Sequence, residues 1–306
     1  RRHCGHPARP VTRMGWLYRW SSLLRWYDLS LGYNRLIGLL SAVAGALGLV
    51  VGLSGEGAVV ATVGRAAVAG LTAFGAAAVA KEIDPDHPRS AVLATAVAIP
   101  AAWIAMPESL PALLWLLLLL RFINRATGLP PKWTDTLALL LLAGWLMWLG
   151  GPFFPGLRFA SPLFGVLTGA ALITDALLPN GRRAHGPLGG LAVVGAVAYW
   201  LVNAARFAAT PHETSLVILL LAIAVATIGV ILTCYVVLMP GDATGRPLDS
   251  ARFQAAQIVA LAVGLSFASW HGNAGATLFV ALWAALVGAI ITSWAIIGAR
   301  RAPASS

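Results

Sequence analysis

Charge is scarce in this sequence. Of its 306 residues only 10% are Asp, Glu, Lys or Arg, against 59% that are apolar. So few charges cannot cover a soluble domain of this size, which makes a lipid bilayer the expected solvent. Cysteine is nearly absent as well: Cys4 and Cys234 offer neither a disulfide framework nor metal-ligand spacing. No HExxH, GxSxG, P-loop or Cys/His cluster is present, and no lysine sits inside an apolar run where it would form a Schiff base. The net charge of +10 does not indicate nucleic acid, because the basic residues punctuate apolar runs instead of clustering on one soluble surface. No targeting segment is expected either. The Arg-rich first 13 residues lead into a Trp-rich stretch, not into a short apolar run with a small-residue cleavage site.

What is there is a series of long apolar runs. About 20 apolar residues cross a hydrocarbon core of roughly 30 Å as a helix. Runs of that kind lie near 35–54, 57–80, 89–106, 109–124, 133–150, 160–178, 187–207, 214–239, 251–270 and 275–298. The third and fourth are separated only by "MPESLP" and read either as two short spans or as a re-entrant pair. Ten spans place both termini on the same side. With that side cytoplasmic, every one of the 21 Lys and Arg except Arg65, Arg158 and Arg206 falls in an inner segment, as the enrichment of cytoplasmic loops in basic residues requires. The fold class read from the sequence is therefore all-α: a polytopic transmembrane bundle of about ten spans, both termini cytoplasmic, in a bacterial-type inner membrane.

Three regions follow from this reading. Residues 1–33 are a basic segment and an interfacial helix, 34–300 the bundle and 301–306 a tail. Between 16 and 31, apolar and aromatic residues recur at helical spacing with polar ones among them. Trp16, Trp20, Trp26 and Tyr27 are expected at the headgroup level, where amphipathic rings settle. Gly48 with Gly52, and Gly186 with Gly190, have the spacing that lets helices approach closely in lipid. "GAAAVAKEIDPDHPR" and "GAALITDALLPNGRR" align without gaps and both enter inner loops, but the match does not continue downstream.

The chemistry-bearing residues gather at the inner ends of the spans. "KEIDPDHPRS" brings Glu82, Asp84 and Asp86 together. Pro85 disfavours helix at Asp84, and Asp86 suits a helix cap, yet a capping turn needs one acid and not three. The excess admits a second reading, in which these carboxylates and Asp175 hold a hard cation such as Mg²⁺ through oxygen. Asp175 lies about a turn inside an apolar run, where an ionisable group is costly and so a functional candidate. The next inner loop contributes Arg121, Asn124 and Arg125, and the third Arg182. Arg121 and Arg125 lie one helical turn apart. They either snorkel to lipid headgroups or bind phosphate, with Asn124 and Arg182 beside them. His271 falls in an outer turn, and Arg65 is the other charge inside an apolar run, about eight residues from the outer end of the second span. No catalytic residue is assigned.

This layout, with acidic segments after the second and sixth spans, resembles the UbiA family of intramembrane prenyltransferases. In that family the two inner loops carry N-D-x-x-D and D-x-x-x-D motifs that bind a polyprenyl diphosphate through Mg²⁺. By that resemblance Glu82 and Asp86 would stand for the first pair and Asp175 for the second, with Lys81 in place of the Asn and Pro179 in place of the last carboxylate. It implies a phosphorylated or prenylated lipid as partner besides the bilayer itself. Ten spans in about 300 residues also resemble the drug/metabolite exporters, and a non-catalytic membrane scaffold fits the apolar sequence too.

Overall fold

A computed structural model describes residues 20–23, 29–53, 59–103, 109–149, 161–203, 220–221, 223–228, 244 and 247–301. Their helices are α1 (Gly32–Leu53), α2 (Val59–Ile83), α3 (Pro88–Ala101), α4 (Ser109–Asn124), α5 (Trp133–Leu149), α6 (Leu163–Leu177), α7 (His185–Val202), α8 (Ser250–Leu278) and α9 (Val280–Arg301). Residues 223–228 are helical too, and no β-strand occurs among the described residues. Of these helices α1, α2, α7 and α8 are long and apolar enough to cross a membrane, while α4, α5, α6 and α9 carry shorter apolar stretches. Helices suit lipid because each satisfies its own backbone polar groups.

The helix bounds follow local chemistry. Pro85 and Pro88 bracket the break between α2 and α3, and Pro88 opens α3, where its missing N–H costs nothing. Asp249 caps α8 by accepting from the Ala251 N–H at 2.9 Å. Gly272, at φ 60° and ψ −139°, breaks α8 with a conformation open to glycine alone. Beyond it the chain returns alongside itself, so that Trp283 packs against Gly264. The ninth and tenth spans read from the sequence thus meet at Gly272, between their expected bounds. The third is shorter than the run suggested, ending at Ala101. Of the interfacial helix expected between 16 and 31, residues 20–23 and 29–31 are described, and 21–23 and 29–31 run through bends and turns instead of helix. Trp16, Trp26 and Tyr27, and most of the eighth span, lie outside the described residues. Trp20 is described and is 70% exposed.

Packing is helix on helix. On the α6/α7 seam a Cβ added to Gly169 would sit 2.5 Å from the Gly189 carbonyl, so only glycine allows this approach. The pair that does this is Gly169 and Gly189; Gly190, half of one spacing noted in the sequence, faces open space. Deeper in, Trp115, Phe164, Phe267 and Phe279 form a ring cluster with neighbouring centroids 4.7–5.0 Å apart from Trp115 to Phe164, Phe267 and Phe279 in turn. The Trp115 indole N–H is satisfied by Thr168 Oγ1 at 2.9 Å. Outward faces carry Val50, Val60, Leu141, Val194 and Val202, all exposed, as a lipid-facing surface would.

Candidate functional site: a buried charge cluster at one end of the bundle

The C-terminal ends of α2, α4 and α6 and the N-terminal ends of α5, α7 and α8 meet at one end of the bundle. Alternate helices running in opposite directions bring the polar residues at their ends together there. Two carboxylates organise it. Asp175, two residues before the end of α6, has no exposed surface. Its Oδ1 accepts from Arg125 Nη2 and from Arg252 Nη1, each at 2.8 Å. Its Oδ2 pairs with His185 Nδ1 at 2.8 Å and accepts from the Arg182 backbone N–H at 3.4 Å. Glu82, near the end of α2, is likewise buried. Its Oε1 accepts from Arg121 Nε at 2.8 Å and its Oε2 from Asn124 Nδ2 at 3.0 Å.

The arginines then tie the helix ends to one another. Arg252 donates to the carbonyls of Ile123 and Pro179, at 3.2 Å to the first and as close as 2.6 Å to the second. Arg125 donates to the Asn180 carbonyl at 3.0 Å. Carbonyls past a helix C-terminus carry partial negative charge, so they are good partners for guanidinium. Arg125 and Asn180 are themselves left-handed, at φ 50° and 58°. For Arg such a backbone costs about 1–2 kcal/mol, which the Asp175 pair offsets. Burial pulls the Arg125 guanidinium below its ordinary pKa, Asp175 pushes it back up, and the nearby Arg252 and Arg182 cations lower it again. Its Nε has no hydrogen-bond partner among the described residues.

Around these pairs the remaining polar groups close a network. His185 Nε2 lies 3.2 Å from Thr136 Oγ1, and the His185 ring packs against Phe122 and Trp133. Asp175, His185 and Thr136 form a carboxylate–imidazole–hydroxyl chain, but all three are buried and the hydroxyl also donates to the Lys132 carbonyl. The chain therefore ends in backbone, not at a substrate surface. The Arg182 guanidinium stacks over the Trp133 ring at 5.5 Å, half-buried at the rim. Asp135, buried in the first turn of α5, accepts from the N–H and hydroxyl of Ser22 and from the Lys132 N–H. Asp84 pairs with His87 at 2.8 Å.

The structure thus brings Glu82, Arg121, Asn124, Arg125, Asp175 and Arg182 into one neighbourhood. It does not bring the acids together as a cation cage. No three Asp, Glu, His or Cys side chains stand close enough to hold a metal among the described residues. The reason is visible in the partners: the oxygens of Glu82 and Asp175 that would face a cation already accept from Arg121, Asn124, Arg125, Arg252 and His185. Asp84 has turned to His87. Asp86 is half-buried in the turn before α3, and the cap position it was expected to fill belongs to His87. The residues present do not fit a Mg²⁺–diphosphate centre. Asn124 is also fully engaged, since it holds both the Glu82 carboxylate and its carbonyl and accepts from the Ala126 N–H. It positions Glu82.

Among the participants not read from the sequence as site residues are Arg252, His185, Thr136, Asp135 and Ser22. Arg252 looked like one more inner basic residue, and nothing local shows that it reaches back 77 positions to Asp175. At the other end of the bundle a shallow depression of 360 Å³ is lined by Leu163, Leu265, Ser266, Ser269 and Trp270. It carries no ionisable side chain and is remote from the charge cluster. No protein-family model, curated protein or solved structure matches this chain.

Proposed function

We propose that this is an integral membrane protein of about ten spans with both termini cytoplasmic, in a bacterial-type inner membrane, whose polar end binds the phosphate-bearing head of a lipid. The orientation rests on the placement of Arg and Lys in alternate loops. The site rests on one observation: Arg125 and Arg252, both buried, share a single oxygen of Asp175. Guanidinium stays charged in a protein interior, so two cations on one carboxylate leave a positive excess. Arg252 spends its remaining donors on backbone carbonyls, whereas Arg125 keeps Nε in hand. Arg121 and Arg182 extend the cationic surface to the rim. A phosphate oxygen supplies both the charge and the acceptors that such a cluster lacks. The apolar tail of the lipid would lie along the bundle.

This keeps the substrate class suggested by the prenyltransferase resemblance and sets aside its metal. No transfer step is assigned, because the carboxylates that would hold the cation are paired with arginine. The test is retention of phosphatidic acid by the protein in phosphatidylcholine nanodiscs, with a prenyl monophosphate as the second probe. Preferential retention that falls about tenfold in Arg182→Gln, the worth of one charge-assisted hydrogen bond, supports the site. Equal retention by wild type and variant refutes it. Orientation is checked separately with single cysteines at Arg183 and Trp270, which an impermeant maleimide should label from the cytoplasmic and outer side respectively.

A further inference from the structure

Residues 20–23 precede the bundle, yet they are fastened into its polar end by side chains from more than 90 positions away. The Ser22 N–H and hydroxyl both donate to Asp135 Oδ2, at 3.1 and 2.6 Å. The Ser22 carbonyl accepts from Thr127 Oγ1 at 2.8 Å, and the Trp20 carbonyl from Thr134 Oγ1 at 2.5 Å. The Leu23 carbonyl accepts from Arg121 Nη1 at 3.3 Å. Ser22 has no exposed surface and Leu23 joins the main core, while Trp20 remains exposed. The segment therefore runs from the surface into the site within three residues.

Two features set it apart from an ordinary buried loop. Its fastenings are hydrogen bonds alone, two to the Asp135 carboxylate, two from threonine hydroxyls and one from Arg121, with no ion pair among them, so no single one fixes the segment. And one of them uses Arg121, the same guanidinium that holds Glu82. A backbone carbonyl carries only a partial charge, whereas phosphate offers a full charge and several acceptors to the same N–H groups. The Leu23 carbonyl thus occupies a donor that an anionic headgroup would hold more strongly. Trp20, on the surface beside it, is the kind of residue that settles among headgroups.

We propose that residues 20–23 are a plug: they close the arginine site by placing a backbone carbonyl on Arg121, and a phosphate-bearing lipid headgroup takes that place as the segment lifts. The inference rests on the headgroup reading above and adds its regulation. Ser22→Ala and Thr127→Val each remove one fastening without touching an arginine. Each should raise phosphatidic acid retention in phosphatidylcholine nanodiscs by ~2- to 10-fold, the range set by loss of one hydrogen bond. In a protein whose Cys4 and Cys234 are replaced by serine, Leu23→Cys keeps the carbonyl and reports on burial. Its maleimide labelling should be slow in phosphatidylcholine alone and several-fold faster with phosphatidic acid. Retention by wild type that neither variant changes, with labelling unaffected by lipid, overturns the plug and leaves the headgroup site standing. Absence of retention by wild type and both variants overturns the two together. Two variants guard against one that fails to fold.

Discussion

Replacing Asp175 by Asn tests the charge cluster most directly. The substitution keeps the size of the side chain and one oxygen acceptor, and removes a single negative charge from a place with no water. Arg125 and Arg252 would then face each other across a neutral amide, with 8% and 3% of their surfaces exposed. The asparagine NH₂ would also point at two groups that now donate to Oδ2, His185 Nδ1 and the Arg182 N–H. Removing one partner of a buried pair costs about 3–5 kcal/mol. Here the upper end applies, because two cations lose the same partner, while the carbonyls of Ile123, Pro179 and Asn180 moderate the loss. At about 2–4 °C per kcal/mol for a large chain, this lowers Tm by on the order of 10 °C. The assay is thermal unfolding of the purified protein in one detergent, against Asp249→Asn, which touches only the exposed α8 cap. A Tm for Asp175→Asn within a degree of wild type would mean that the pairs do not hold the helix ends together. The double variant Asp175→Asn, Arg252→Gln should lose less than the sum of the single ones, as contacting residues do.

Glu82→Gln should cost less, about 1–3 kcal/mol, because Arg121 is 21% exposed and can swing its head to water; a loss as large as that of Asp175→Asn would refute this ranking. Gly181→Ala should abolish folded protein, since its Cβ would lie 1.8 Å from the Asp175 carbonyl oxygen, a backbone atom that cannot step aside. Gly190→Ala, with nothing within 4 Å, should be neutral or stabilise by up to about 1 kcal/mol; comparable yields of the two on size-exclusion chromatography would contradict the geometry. Neither Mg²⁺ nor EDTA should move Tm, because the Glu82 and Asp175 oxygens are already taken. A metal-dependent rise of several degrees would restore the cation reading.

How much of this was legible in the sequence depended on the range over which the information acts. Bilayer thickness acts over 20 residues, so the apolar runs at 35–54 and 57–80 are recognisable in α1 and α2, and the turn between the last two spans falls at Gly272. Helix polarity acts between neighbours, so the gathering of Glu82, Arg121, Arg125 and Asp175 at one end followed from alternation alone. Partner choice does not act locally. "KEIDPDHPRS" gives no sign that Glu82 will choose Arg121 over its own neighbours in the turn. Nor does the Ser22 region announce a bond to Asp135, 113 residues on. The metal reading treated the carboxylates as free because their cationic partners lie on other helices.

The composition of the cluster bears on why it exists at all. A buried salt bridge is a poor way to stabilise a bundle, since apolar residues of the same shape do as well or better. If Asp175 served only to fasten α6 to α8, one arginine would suffice and Arg252 already reaches it. The second, Arg125, adds a charge that must be compensated and holds a left-handed backbone to do so. Arg125 also ties the end of α4 to Asp175 and the Asn180 carbonyl, but a tie needs no cation in excess of its carboxylate, whereas a site that must attract an anion needs a cation its resident carboxylate does not fully neutralise. Arg125 is therefore the residue on which the two readings part. Arg125→Gln should weaken phosphatidic acid retention while relieving the charge excess; the left-handed backbone keeps its cost, since Gln carries the same Cβ. Its Tm should fall by far less than that of Asp175→Asn. Equal losses of stability from Arg125→Gln and Asp175→Asn would make the cluster a tie and nothing more.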